Sequence, residues 1–111
     1  MSSQERLNEL LLEELAPIVN REVGLANSLI TVSYVDCSPD LKQAKVGISV
    51  LPDQLAGTAL RQLKATTGAI VNILKKRLPL RRLPHFTWVF DASEKEASRI
   101  SELITKANRE E

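Results

Sequence analysis

Residues 60–89 read LRQLKATTGAIVNILKKRLPLRRLPHFTWV. Apolar side chains recur at helical spacing through Leu60 and Leu63, then through Ile70, Leu74 and Leu78, while Ala65, Thr66, Thr67 and Gly68 interrupt the pattern. The spacing predicts two helices joined at a bend. Thr66 or Thr67 is expected to cap the second helix, because a hydroxyl accepts from the free N–H groups of a first turn. Gly68, with no side chain, lets another backbone approach closely. Unsatisfied N–H groups at such a junction, together with the helix dipole, suit a phosphate. Pro79 and Pro84 then frame a stiff linker, and HFTWVF at 85–90 alternates Phe86, Trp88 and Phe90 against Thr87 and Val89, the pattern of a strand.

The same stretch carries Arg61, Lys64, Lys75, Lys76, Arg77, Arg81 and Arg82, and no acid lies between Asp53 and Asp91. The other eight basic residues share the rest of the chain with all fourteen acids, so a net charge of +1 conceals a basic segment in an acidic frame. Such asymmetry points to a polyanionic partner. A solvated helix face is the plainer reading of the same charges.

N-terminal to this stretch, QAKVGISVL at 43–51 turns Ala44, Val46, Ile48 and Val50 one way and Lys45, Gly47 and Ser49 the other. SLITVSYVD at 28–36 sets Ile30, Val32 and Tyr34 against Thr31, Ser33 and Val35. With Ser38-Pro39-Asp40 as a turn between them, the two runs predict an antiparallel hairpin with one wet face. Pro52-Asp53 ends it, and Asp53 is expected to cap a helix over 54–64. Before the hairpin, Ser2 and Glu5 form a capping box, and Leu7, Leu11, Leu15 and Ile18 line one helical face. Pro17 should kink or end that helix near Ala16, with a resumption to Glu22 and a stop at Gly24. C-terminal to residue 91, Ser93 and Glu96 make a second capping box, and Ala97, Ile100, Leu103 or Ile104, and Ala107 line a final helix.

The order is α-β-β-α-kink-α-β, followed by a C-terminal helix packed on a three-stranded sheet: an α+β fold, as one domain over 1–111. The core order is that of a type II KH domain, which grips single-stranded nucleic acid beside a Gly-x-x-Gly loop. No Gly-x-x-Gly occurs here.

Catalytic chemistry has few candidates. His85 is the single histidine and lacks a sequence partner; Cys37, the single cysteine, reads as a buried filler at a strand end and allows no internal disulfide. There is no Walker phosphate loop and no dinucleotide-binding glycine motif. The leucine-rich start is broken by Glu9, Glu13 and Glu14 and reads neither as a signal core nor as a membrane span. The expectation is a non-enzymatic cytoplasmic protein with no cofactor, no metal, no small-molecule substrate and no membrane association.

Residues 35–51, VDCSPDLKQAKVGISVL, resemble the strand-turn-strand segment of bacterial ribosome-binding factor A, through Ser38-Pro39-Asp40-Leu41 and Ala44-Lys45-Val46. Residues 66–91, TTGAIVNILKKRLPLRRLPHFTWVFD, resemble that family's kinked helix pair, basic linker and closing strand, through the run from Lys76 to Arg82, Pro84 and Asp91; Glu14-Leu15-Ala16 fits its first helix. The chain departs from the family pattern at Thr66, where an alanine is usual, and at Val71, where a basic residue is frequent. The resemblance implies a KH-like monomer that binds 16S rRNA and the free, immature 30S small ribosomal subunit, assists its maturation and 5′-end rRNA processing, and matters most in the cold. On that reading Arg61, Lys64, Thr66, Thr67, Gly68, Lys75, Lys76, Arg77, Arg81 and Arg82 form the RNA-binding set. The alternative is a protein–protein adaptor that docks a partner through its sheet face or acidic first helix.

Overall fold

The computed structural model describes residues 2–91. It contains helix α1 (Ser3–Val23), strands β1 (Leu29–Cys37) and β2 (Gln43–Leu51), a 3-10 turn at Asp53–Leu55, helix α2 (Ala56–Arg77) and strand β3 (His85–Phe90). The sheet order is β1-β2-β3, with β1 antiparallel and β3 parallel to β2. The expected hairpin and third strand are therefore present, and the fold is mixed α+β. The C-terminal helix expected from Ser93 onward lies outside the described residues.

Helix α1 starts as its sequence predicts: the Ser2 hydroxyl accepts from the Glu5 N–H at 3.1 Å. It ends at Gly24, whose φ of +58° is the left-handed conformation glycine adopts without steric cost. Pro17 does not interrupt it, contrary to expectation. The proline is exposed, so the missing N–H and crowded carbonyl fall on the solvent side while Leu11, Leu15, Ile18 and Val19 stay packed in the core.

Polar residues of α1 also close the outer edge of β1. The Asn20 side-chain amide accepts from the Ile30 N–H at 2.9 Å and donates to the Ile30 carbonyl. At the other end, Asn8 accepts from the Cys37 N–H at 2.8 Å and Gln4 donates to the Cys37 carbonyl. Backbone groups that an edge strand would leave bare are thus paired by the helix lying along it.

The expected alternation in β1 holds only as far as Val32. Val32 faces Ile48 and Tyr34 faces Gly47, so Ser33 is an extra residue in the ladder, a bulge that reverses the phase beyond it. Val35 and Cys37 become buried, while Tyr34, expected inside with Ile30 and Val32, turns to the other face. Gly47 explains the swap: its peptide lies under the Tyr34 ring, where any Cβ would collide.

The sequence also predicts two helices meeting at 65–68, whereas α2 is one helix that runs unbroken for 22 residues. Ala59, Leu63, Ile70 and Leu74 form one buried line along it. The polar gap at 66–67 has another cause. The Thr67 hydroxyl donates to the Leu63 carbonyl at 2.6 Å and accepts from the Trp88 indole N–H at 2.8 Å, giving a buried tryptophan the partner it needs. The Thr66 hydroxyl bonds back to the Gln62 carbonyl at 2.8 Å. The 3-10 turn also places Leu55, not Asp53, at the N-cap of α2.

The two helices cover one face of the sheet, over Ile30, Val32, Val35, Val46, Ile48, Val50, Phe86 and Trp88. Cys37 joins this core; burial, with the Asp36 charge beside it, pushes its thiol above the usual range. The β1–β2 turn is held by the Ser38 hydroxyl donating to Asp40 at 2.6 Å and by the Lys42 N–H donating to the same carboxylate oxygen at 3.0 Å. These bonds hold the Asp40 carboxyl below its usual value. They also fix Leu41 at φ +62°, a left-handed conformation that costs an ordinary residue about 1–2 kcal/mol.

Candidate nucleic-acid interface

Arg61, Lys64, Ala65, Gly68, Asn72 and Lys75 are exposed and fall on one face of α2 at three- and four-residue spacing, with Lys76 at its margin. Along the helix axis this face spans about 21 Å from Arg61 to Lys75, at 1.5 Å per residue. Its ends are cationic and its middle is smooth. Arg61 reaches the Thr58 hydroxyl at 3.3 Å; no described acid pairs with Lys64, Lys75 or Lys76. Gly68 sits in mid-helix, where glycine costs roughly 0.5–1 kcal/mol relative to alanine. Neither a positive φ nor a packed neighbour calls for it, since a Cβ built there meets nothing within 4 Å. Among the described residues nothing in the fold calls for a glycine at this point.

Three expected members of the set are placed differently. In a continuous α-helix the N–H groups near 66–68 donate to carbonyls one turn back, so the expected cluster of free donors does not exist. Thr66 and Thr67 turn inward and serve the helix and Trp88 instead of an external phosphate. Arg77 points away from the Lys64 to Lys75 face and meets Glu14 of α1 at 2.8 Å, in a pair with 55% and 24% side-chain exposure. It joins the two helices.

Beyond α2 the linker separates its residues by chemistry. Leu78 and Pro84 are buried, Leu80 and Leu83 pack on the core, and Arg81 and Arg82 are left in solvent. The two arginines thus project from the linker that Pro79 and Pro84 frame. The structure adds two groups that the sequence does not single out. Arg6 of α1 lines the same cavity as Arg82, and a second cavity of about 320 Å³ lies between α2 and β3, lined by Lys64, Thr67, His85, Phe86, Thr87 and Trp88. Neither juxtaposition leaves a local signal, because Arg6 and Arg82 are distant in sequence and meet only through the folded topology.

Among the described residues no group of three or more His, Cys, Asp or Glu side chains is placed to hold a metal ion. Among the same residues no helix is long and apolar enough to cross a membrane.

The sequence matches the ribosome-binding factor A family over residues 3–104. It is 37% identical over 105 residues to ribosome-binding factor A of Coxiella burnetii (strain Dugway 5J108-111), covering 94% of this chain and 88% of that protein. It is 36% identical over 107 residues to that of Natranaerobius thermophilus, covering 95% and 82%. The crystal structure of ribosome-binding factor A from Thermus thermophilus superposes with a TM-score of 0.67 at 24% identity, over 79% of this chain and 94% of that one, a likeness of fold. By the extent of the family match and the identity to these relatives, this chain belongs to the ribosome-binding factor A family.

Proposed function

We propose that this protein is a non-catalytic, monomeric assembly factor of the cytoplasm, with a KH-like fold, that binds 16S rRNA on the free, immature 30S subunit. There it assists maturation and 5′-end rRNA processing. The observation that carries this reading is the exposed face of α2, where unpaired cations flank a glycine that the fold does not require. Lys64, Lys75, Lys76, Arg81 and Arg82 neutralise phosphates, with Arg61 contributing once it leaves Thr58. Gly68 lets the RNA backbone pass close to the helix. Interactions of this kind position a protein without reading sequence, so the target is chosen by rRNA shape. The relatives' shared name, a ribosome-binding factor, agrees with this assignment.

The test is co-sedimentation with isolated small subunits, large subunits and assembled ribosomes across a salt series. Binding is expected only to free small subunits and falls with salt. Replacing Lys64 and Lys75 together by Ala, or Arg81 and Arg82 together by Ala, lowers the salt slope by about one for each phosphate that the protein no longer neutralises. An unaltered slope in both double variants rejects this surface.

One observation favours the adaptor reading instead. Leu29 and Leu51, 53% and 65% exposed, face each other across β1 and β2 and offer an apolar patch. Association through that pair would be insensitive to salt, which separates the readings in the same assay.

A further inference from the structure

The Ser38-Pro39-Asp40-Leu41 turn has no part in the basic face of α2, yet it holds a leucine in left-handed backbone. That conformation aims Leu41 into a cavity of about 290 Å³ at the end of the molecule where α1 begins. Leu7 and Leu10 of α1 and Leu80 of the linker supply the other apolar walls. All four leucines pack against the core yet stay partly exposed, so the cavity is open to solvent.

The remaining lining is cationic or polar: Arg6, Arg82 and Ser3, each exposed. No acid lines the cavity. Glu9, one turn on from Arg6, and Glu5 are both exposed and lie outside the lining. The first turn of α1 adds its dipole to the charge of the two guanidinium groups. A small apolar slot with paired arginines beside it matches a flat apolar group carrying an adjacent anion. The volume lies at the lower end of the range for small-molecule sites and suits one such group.

We infer that this cavity receives a single unpaired base of the RNA, with Arg6 and Arg82 holding the phosphates on either side of it. The inference rests on the rRNA-binding reading and deepens it. It gives the protein a preference for single-stranded over paired RNA that the α2 face does not provide, since only an unstacked base can leave its helix and enter an apolar slot. Leu41 is the wall that the turn positions, and Arg82 links the slot to the basic linker.

The experiment uses the full chain with ¹³C-labelled leucine methyl groups and ¹⁵N-labelled amides. It is titrated with a mixed-sequence single-stranded RNA hexamer and, separately, with the same sequence as a duplex. The methyl signals of Leu7, Leu10, Leu41 and Leu80 are expected to move with the single strand and not with the duplex. Leu10→Trp, which fills the slot, should weaken hexamer binding several-fold, and Arg6→Ala, at an exposed position, should do so without disturbing the core signals. Leucine methyls that stay still, or that move equally with the duplex, overturn the slot. Shifts confined to amides of the α2 face overturn it too while leaving rRNA binding intact. No shift anywhere, together with no sedimentation on small subunits, overturns both.

Discussion

Helices α1 and α2 are nearly equal in length, 21 and 22 residues, and each contains a sequence that ordinarily breaks a helix: Pro17 in one, Thr66-Thr67-Gly68 in the other. Both run through, yet they use their polar residues oppositely. Helix α1 turns Gln4, Asn8 and Asn20 toward the sheet and uses them on the backbone of β1. Helix α2 sends only the Thr67 hydroxyl to the sheet, to Trp88, and leaves its lysines in solvent. One helix is bound into the fold on its polar side as well as its apolar side. The other is bound mainly by its apolar line, which leaves its charges available to a partner.

The sharpest way to break this contrast is to ask whether the apolar sides are equivalent. Leu15→Ala in α1 and Leu63→Ala in α2 each remove a fully buried leucine from the same core. Each is expected to cost about 2–5 kcal/mol in urea unfolding. Values that differ several-fold would mean that the helices do not share one core. The polar sides should then separate. Asn20→Ala strips the Ile30 N–H and carbonyl of their partner and is expected to cost about 1–3 kcal/mol, with faster amide exchange at Ile30. Replacing Lys64 and Lys75 by Ala should leave stability within about 0.5 kcal/mol, as exposed changes usually do. The last effect has the opposite sign. Gly68→Ala should stabilise the protein by roughly 0.5–1 kcal/mol while weakening attachment to small subunits. Undiminished attachment would show that nothing approaches α2 at that point.

Features of the fold that depend on near neighbours are legible in the sequence. The Ser2 cap, the Gly24 stop, the hairpin and the inward face of β2 each follow from residues within a few positions of one another. The errors share a different character. Thr66 and Thr67 look like a junction because the indole N–H that makes Thr67 useful belongs to Trp88, 21 residues on. Simple alternation puts Tyr34 on the wrong face because the bulge at Ser33 is explained by a glycine on the neighbouring strand. Arg77 reads as a free cation because Glu14, its partner, is 63 residues away. The same holds for the candidate site. The basic character of residues 60–89 is a matter of composition, whereas which of those residues share a face, and that Arg6 joins Arg82, depends on how α1, the linker and the β1–β2 turn converge.

The sheet is unlike at its two edges: β1 has its outward backbone groups at Ile30 and Cys37 paired by side-chain amides of α1, and β3 has only β2 beside it among the described strands. The β1 edge is therefore the poorer template for an added strand. Two chains meeting strand to strand through β3 would leave β1 on each flank, where a third chain would meet a ladder already interrupted at Ile30 and Cys37. Polymerisation needs two receptive edges per monomer, and the β1 edge is already occupied at both its ends. Three amide side chains on a helix thus protect both ends of one sheet edge against strand addition.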